Sequence, residues 1–190
     1  MAMSVMRIIL MGITVMLLLG CRADVPSSLI SDEPGSPSLK DEGKSDRDML
    51  LARGTVTPDF IITDFDGVKY ELSENLGKGI VLNFWASWCG PCRWEMPFFE
   101  EQWQEHEDNL SFVGIAVKDF EDEARLFTNI TGVTYPNALD KNGEIAAKYN
   151  VGSMPTTYFI DKDGFIVRGL IGATNEGTLK WFIENLFQDE

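Results

Sequence analysis

The run Ile80-Val81-Leu82-Asn83-Phe84 leads straight into Trp85-Ala86-Ser87-Trp88-Cys89-Gly90-Pro91-Cys92, and from there into a helix-patterned stretch that reaches about His106. No other part of the chain constrains the fold as strongly. A short apolar run bounded by turn residues reads as a buried strand. Two cysteines separated by two residues therefore sit where that strand hands over to a helix.

A chain of 190 residues with 44% hydrophobic content can bury one good core. Its first fifty residues or so are unsuited to joining that core, which leaves one domain of about 135 residues. The formal charge of −14 and pI near 4.4 argue against a nucleic-acid partner, because phosphate backbones attract Lys/Arg-rich faces. Solubility accounts for the acidity.

Residues 1–20 carry one charge, Arg7, followed by the apolar run Ile8 to Leu19. That run is short for a membrane span but suits the core of an export signal. It ends in Leu18-Leu19-Gly20-Cys21, which resembles the bacterial lipoprotein signal, where the peptide before the cysteine is removed and the cysteine takes lipid. On this reading 1–20 is a signal peptide and Cys21 is the lipidated mature terminus, held at a membrane surface. An uncleaved anchor or a conventional signal peptide are the alternatives. Arg22 to about Met49 is polar, with Pro26, Pro34, Pro37 and six serines, so it cannot bury enough surface to offset its ordering entropy. We expect a tether over 21–54, able to extend up to about 3.3 Å per residue, and a folded domain over 55–190.

Within that domain, Phe60-Ile61-Ile62 and Val68 to Leu72 flank Asp64-Phe65-Asp66-Gly67, a hairpin signal. A turn from Ser73 to Lys78 leads to the strand ending at Trp85. Leu110 to Lys118 reads as a second buried strand and Glu121 to Ile130 as a helix packed through Ala124, Phe127 and Ile130. Gly143 to Asn150 reads as a shorter helix. Pro155 to Asp161 and Phe165 to Leu170 form a second hairpin across Asp161-Lys162-Asp163-Gly164. The last helix, from Asn175, buries Leu179, Phe182, Ile183 and Leu186 along one face. The order hairpin, βαβ, then ββα predicts an α/β fold, a mixed sheet with helices on both faces.

A nucleophilic cysteine must be a thiolate, and free cysteine, with pKa about 8.5, is mostly protonated near neutrality. At the first turn of a helix, unpaired N–H groups and the positive dipole end stabilise the anion. Cys89 is thus the expected exposed attacker. Pro91 suits the first helical position, where its missing N–H has no partner to lose. Cys92 then lies close enough to resolve a mixed disulfide. Cysteines this near in sequence cannot cross-link distant parts of a fold, so a purely structural bridge explains them poorly. Zinc needs two further ligands and copper a further histidine, yet the only histidine, His106, reads as a solvated side chain near a helix end. No metal is expected.

Projection along the helix puts Met96, Phe99 and Trp103 on one stripe and Glu95 about 60° from it, one turn beyond Cys92. A carboxylate at that buried edge has a raised pKa and suits proton transfer; a solvated glutamate favouring the helix N-terminus is the alternative. Pro97 should bend the helix. Trp94 and Phe98 face elsewhere, either under the N-terminal hairpin or on a docking surface.

Trp85 to Cys92, then Glu95-Met96-Pro97 and later Gly152-Ser153-Met154-Pro155-Thr156-Thr157, resemble the membrane-tethered TlpA/ResA type of thiol-disulfide oxidoreductase in the thioredoxin superfamily, over about residues 57–188. The resemblance implies a thioredoxin fold with an added N-terminal hairpin and a βα insertion at about Leu110 to Asn137. It implies a redox disulfide Cys89-Cys92, with Cys89, Cys92 and Glu95 catalytic, and no cofactor. It makes Met154-Pro155 a cis peptide and gives Trp88, Gly90, Pro91, Met154 and Pro155 to substrate binding, the backbone beside the proline pairing with a client segment. One departure from thioredoxin itself bears on protons. The strand position six before the first cysteine is aspartate there and Asn83 here, which cannot exchange protons, so Glu95 takes that task.

The dipeptide Gly90-Pro91 is that of thioredoxin, a reductant with a potential near about −270 mV. Together with the lipoprotein-like signal, it makes the expected activity extracytoplasmic reduction of disulfides in exported proteins, on the outer side of a bacterial membrane. Recharging would come from a membrane thiol donor, and cytochrome c maturation, with apocytochrome c as client, is the family-level expectation. A disulfide oxidase or isomerase and a peroxidase are the enzyme alternatives, although Trp88 stands where the peroxidase motif has threonine. A lipid-anchored interaction module built on Trp88, Trp94 and Phe98 is the non-enzyme alternative.

Overall fold

Every residue of Gly79–Trp85 (β3) is buried, and the pleat sends alternate side chains to opposite sides. Val81 and Trp85 enter one apolar cluster; Ile80, Leu82 and Phe84 enter a second. A strand apolar on both faces needs a cover on each, and the computed structural model, which describes residues 50–186, supplies it. Gly90–His106 (α1), Glu121–Thr131 (α2) and Glu176–Leu186 (α4) contribute to the first cluster, and Glu144–Lys148 (α3) to the second.

The sheet has five strands in the order β5-β4-β3-β6-β7, formed by Asn137–Asp140 (β5), Leu110–Val117 (β4), β3, Thr156–Ile160 (β6) and Ile166–Ile171 (β7). Strands β4 and β5 run parallel to their inner neighbours, while β6 and β7 are antiparallel. This is the expected mixed sheet with helices on both faces. The N-terminal hairpin of Ile61–Thr63 (β1) and Lys69–Glu71 (β2) also forms as its Asp-Gly signal predicts. Asp64 Oδ1 accepts from the amides of Asp66 and Val68, and Gly67 takes φ +82°. Its loop docks on β5, where the Phe65 amide donates to the Asn137 carbonyl at 2.7 Å.

The expected βα segment supplies an inner strand and a helix, and it closes on a further strand, β5, which the sequence does not announce. Three expectations need correction. In α2, Ala124 and Phe127 are buried but Ile130 is 56% exposed. Steps of three residues drift by 60° each around a helix, so two of them carry Ile130 off the packed face. His106 is partly buried, with its ring 4.0 Å from the Glu105 carboxylate. The packed chain also starts earlier than 55. Leu50 and Leu51 lie against the second cluster and the Leu51 amide donates to Tyr158 Oη at 3.2 Å. Gly54, Thr55 and Thr57 bond along the edge of β7, to Ile166 and Gly164.

Trp85, fully buried, stacks on Phe127 at 5.3 Å and donates from Nε1 to Asn137 Oδ1 at 3.0 Å. That bond needs Gly114 on β4, because a Cβ there would fall 2.0 Å from Asn137 Oδ1 and 2.8 Å from Trp85 Nε1. Gly114→Ala should therefore cost about 3 kcal/mol, combining overpacking with a lost buried hydrogen bond. Chemical denaturation checks this; a loss below about 1 kcal/mol would show that Asn137 moves aside freely.

Candidate active site

Helix α1 begins at Gly90 with Cys89 as its N-cap. Pro91 takes the second helical position rather than the first; the amide it lacks is unpaired at either place. Cys89 and Cys92 are joined as a disulfide with Cα atoms 5.3 Å apart. The Cys92 amide donates to Cys89 Sγ at 3.2 Å, so one of the free N–H groups of the first turn is aimed at the first sulfur. Cys92 is fully buried. Cys89, expected to be exposed, is only 4% so, and its neighbours carry the exposure: Trp88 is 68% exposed, and Gly90 and Pro91 are open.

A carboxylate grips the loop before Cys89. Asp119, just after β4, accepts from both the amide and the hydroxyl of Ser87 and from the Phe120 amide. The Cys89 amide closes a turn onto the Ala86 carbonyl at 3.0 Å. Trp88 thus projects from a short loop pinned at its base, with Cys89 enclosed beside it. Nothing periodic marks Asp119 in the sequence; its neighbours Lys118 and Phe120 belong to an ordinary strand-to-helix connection.

Glu95, one turn beyond Cys92, is completely buried. Burial pushes its carboxyl up from the ordinary 4.5 to about 7, partly opposed by hydrogen bonds from the Thr174 amide and the Asn83 side chain. Those bonds are 3.0 Å from Thr174 N to Oε2 and 3.0 Å from Asn83 Nδ2 to Oε1. Asn83 Nδ2 also donates to Thr157 Oγ1 at 3.0 Å. Asn83 reaches the carboxyl because alternation along β3 turns it to the same side as Val81 and Trp85. Thr174 contributes only its backbone, which is why no residue-type signal reveals it.

Met154-Pro155 is a cis peptide, as the resemblance implied. Met154 packs against the cluster that contains both cysteines. The Pro155 carbonyl accepts from the Gly172 amide at 2.8 Å, two residues before the Thr174 amide that reaches Glu95. Helix α1 runs through Pro97 without interruption. Its outer face carries Trp94, 55% exposed and edge-to-face with Phe98 at 5.3 Å. Cys21 lies outside the described residues. Among the described residues no group of three or more His, Cys, Asp or Glu is placed to hold a metal ion.

A cysteine pair at the N-terminus of the first sheet-covering helix, over a buried carboxyl and next to a cis-proline, defines a thioredoxin-fold thiol-disulfide oxidoreductase. Residues 54–168 match the AhpC/TSA family, and the chain belongs to that family. The thiol-disulfide oxidoreductase ResA of Bacillus thuringiensis (strain Al Hakam) is 35% identical over 134 residues, 70% of this chain and 78% of that protein. The thioredoxin-like protein YneN of Bacillus subtilis (strain 168) is 39% identical over 125 residues, 64% of this chain and 73% of that one. The crystal structure of a thioredoxin-family thiol:disulfide interchange protein from Chlorobium tepidum TLS superposes with TM-score 0.66 at 25% identity, covering 72% of this chain and 98% of the other.

Proposed function

We propose that the protein reduces disulfides in exported proteins outside the cytosol, held to a bacterial membrane through lipid on Cys21. The observation that carries this reading is the Cys92 amide aimed at Cys89 Sγ above a fully buried Glu95. In the dithiol form, the Cys89 thiolate attacks one sulfur of the client disulfide. A mixed disulfide forms and the departing client thiolate takes a proton. Glu95, as carboxylate, accepts the proton of Cys92, whose sulfur then attacks Cys89 Sγ and releases the second client thiolate. Two electrons pass to the client and Cys89-Cys92 is left oxidised, so a membrane thiol donor must reduce it again.

Trp88, Gly90, Pro91, Met154 and Pro155 form the client-facing rim in this reading. The backbone beside Pro155 pairs with an extended client segment, while exposed Trp88 supplies apolar contact. The pairing of a Cys-Gly-Pro-Cys site with an export signal supports a client such as apocytochrome c, whose two cysteines must be reduced before haem attachment. Peroxide reduction is disfavoured by Trp88 at the position before Cys89. Equilibration of the pair with glutathione buffers decides the direction of electron flow. A potential below about −150 mV is expected, and a higher one would replace the reductant reading with an oxidase or isomerase.

A further inference from the structure

Asn83 contains a buried polar atom with no hydrogen-bond partner, its Oδ1. Its other end is fully used, because Nδ2 donates to both Glu95 Oε1 and Thr157 Oγ1 at 3.0 Å. An amide placed this way suits an ionised Glu95, which accepts only. A protonated Glu95 carries an O–H that needs an acceptor, and Nδ2 cannot accept. The two ends of an amide are nearly the same size. Half a turn about its terminal bond would put Oδ1 where Nδ2 now stands, to accept from both the Glu95 acid and the Thr157 hydroxyl.

We propose that Asn83 is a positioning residue that holds Glu95 in either protonation state by turning its side-chain amide, with the Thr157 hydroxyl reversing its own bond in step. Each orientation leaves one end of the amide without a partner: the carbonyl oxygen beside the carboxylate, the N–H groups beside the acid. Aspartate in its charged form could not donate to the Glu95 carboxylate, and leucine could serve neither state. This rests on the reading of Glu95 as proton acceptor for Cys92.

The titratable groups near Glu95 are few. Cys89 and Cys92 precede it on the same segment. Tyr135, between α2 and β5, is buried within electrostatic range of it. From β3 and β6 come Asn83 and Thr157, and from the loop after β7 the Thr174 amide, none of them ionisable. Helix α4 turns Leu179 and Ile183 inward and leaves Glu176, Lys180 and Glu184 exposed. The Glu95→Gln background separates the part of a titration that belongs to Glu95 from the rest.

The test follows the rate at which Cys92 displaces thionitrobenzoate from a mixed disulfide on Cys89 as a function of pH. In the unmodified protein the rate should rise along a limb set by ionisation of Glu95, and Glu95→Gln should abolish that limb. Asn83→Leu removes a donor to the carboxylate, and a bond to the charged form outweighs one to the acid. Its limb should move to higher pH by about one unit. Thr157→Val, which frees the amide without removing it, should move the limb the same way by less, and serves if Asn83→Leu does not fold. In a Glu95→Gln background, Asn83→Leu should leave the profile unchanged. A merely structural Asn83 would lower the denaturation midpoint without moving the limb, and an amide that donates in both states would keep its side-chain N–H resonances unchanged across the limb; either result would overturn the proposal. If Glu95→Gln itself keeps the limb, the proton-acceptor reading falls and takes this one with it.

Discussion

A Cys92→Ala variant produced in its native host should be recovered largely as mixed disulfides through Cys89, while Cys89→Ser should yield none. With Cys92 absent, attack by Cys89 has no intramolecular second step, so the covalent intermediate persists until an outside thiol clears it. Removing the nucleophile itself should lower the disulfide-reduction rate by on the order of a thousandfold or more, with a circular dichroism spectrum like that of the parent. Non-reducing electrophoresis followed by identification of the attached chains measures both arms. Equal recovery of adducts from the two variants would reverse the assignment of attacker and resolver. A cellular role that survives in Cys89→Ser although disulfide reduction is lost would favour the interaction-module reading.

Glu95→Gln should make the oxidised protein more stable at neutral and alkaline pH. The sign follows from the proton's preference: the folded state holds it more tightly than the unfolded chain, with a carboxyl raised from 4.5 to about 7. The parent's advantage from the neutral acid is therefore complete below about pH 4.5 and is lost as pH rises through about 7. At about 1.4 kcal/mol for each tenfold change in proton affinity, the loss amounts to about 3 kcal/mol by pH 8. Glutamine has no proton to lose, so the difference between variant and parent should grow by that amount across the window. Urea denaturation at pH 4.5, 6 and 8 under oxidising conditions, where the two cysteines do not titrate, measures it. A difference independent of pH would mean that Glu95 stays ionised, and hence hydrated, in the folded protein.

Wherever a single periodicity governs, the sequence already carried the architecture. The apolar run of β3, the Asp-Gly hairpin and the three-four spacing of Leu179, Ile183 and Leu186 each belong to one element and show in one window. The cysteine pair and Glu95 were legible for the same reason, since all three lie within two turns of one helix start. Strand β5 was not. Tyr135-Pro136-Asn137 contains two residues depleted in strands, and Asn137 is buried because Trp85, 52 positions away, donates to it. Asp119 and Thr174 escaped notice likewise: one grips Ser87 across the sheet end and the other acts through a backbone amide. The expected exposure of Cys89 failed because the helix start that activates a sulfur also encloses it, leaving Trp88 as the visible neighbour.

The row of bonds that Gly54, Thr55 and Thr57 make along the outer edge of β7 has a mechanical consequence. A pull entering the domain through Leu50 meets first the Leu51 bond to Tyr158 on β6 and then this edge, which in strand order lies farthest from β5 and two strands away from β3. The bonds lie in succession along one edge, so they would peel singly, each at a small force, instead of shearing together. Strain would be spent as a few residues of slack before it reached the strand that presents the cysteines. The register of β3 against β6, and with it the seat of Asn83 beside Glu95, then depends under such a load on the Leu51 bond to Tyr158 giving way before the β6 ladder does.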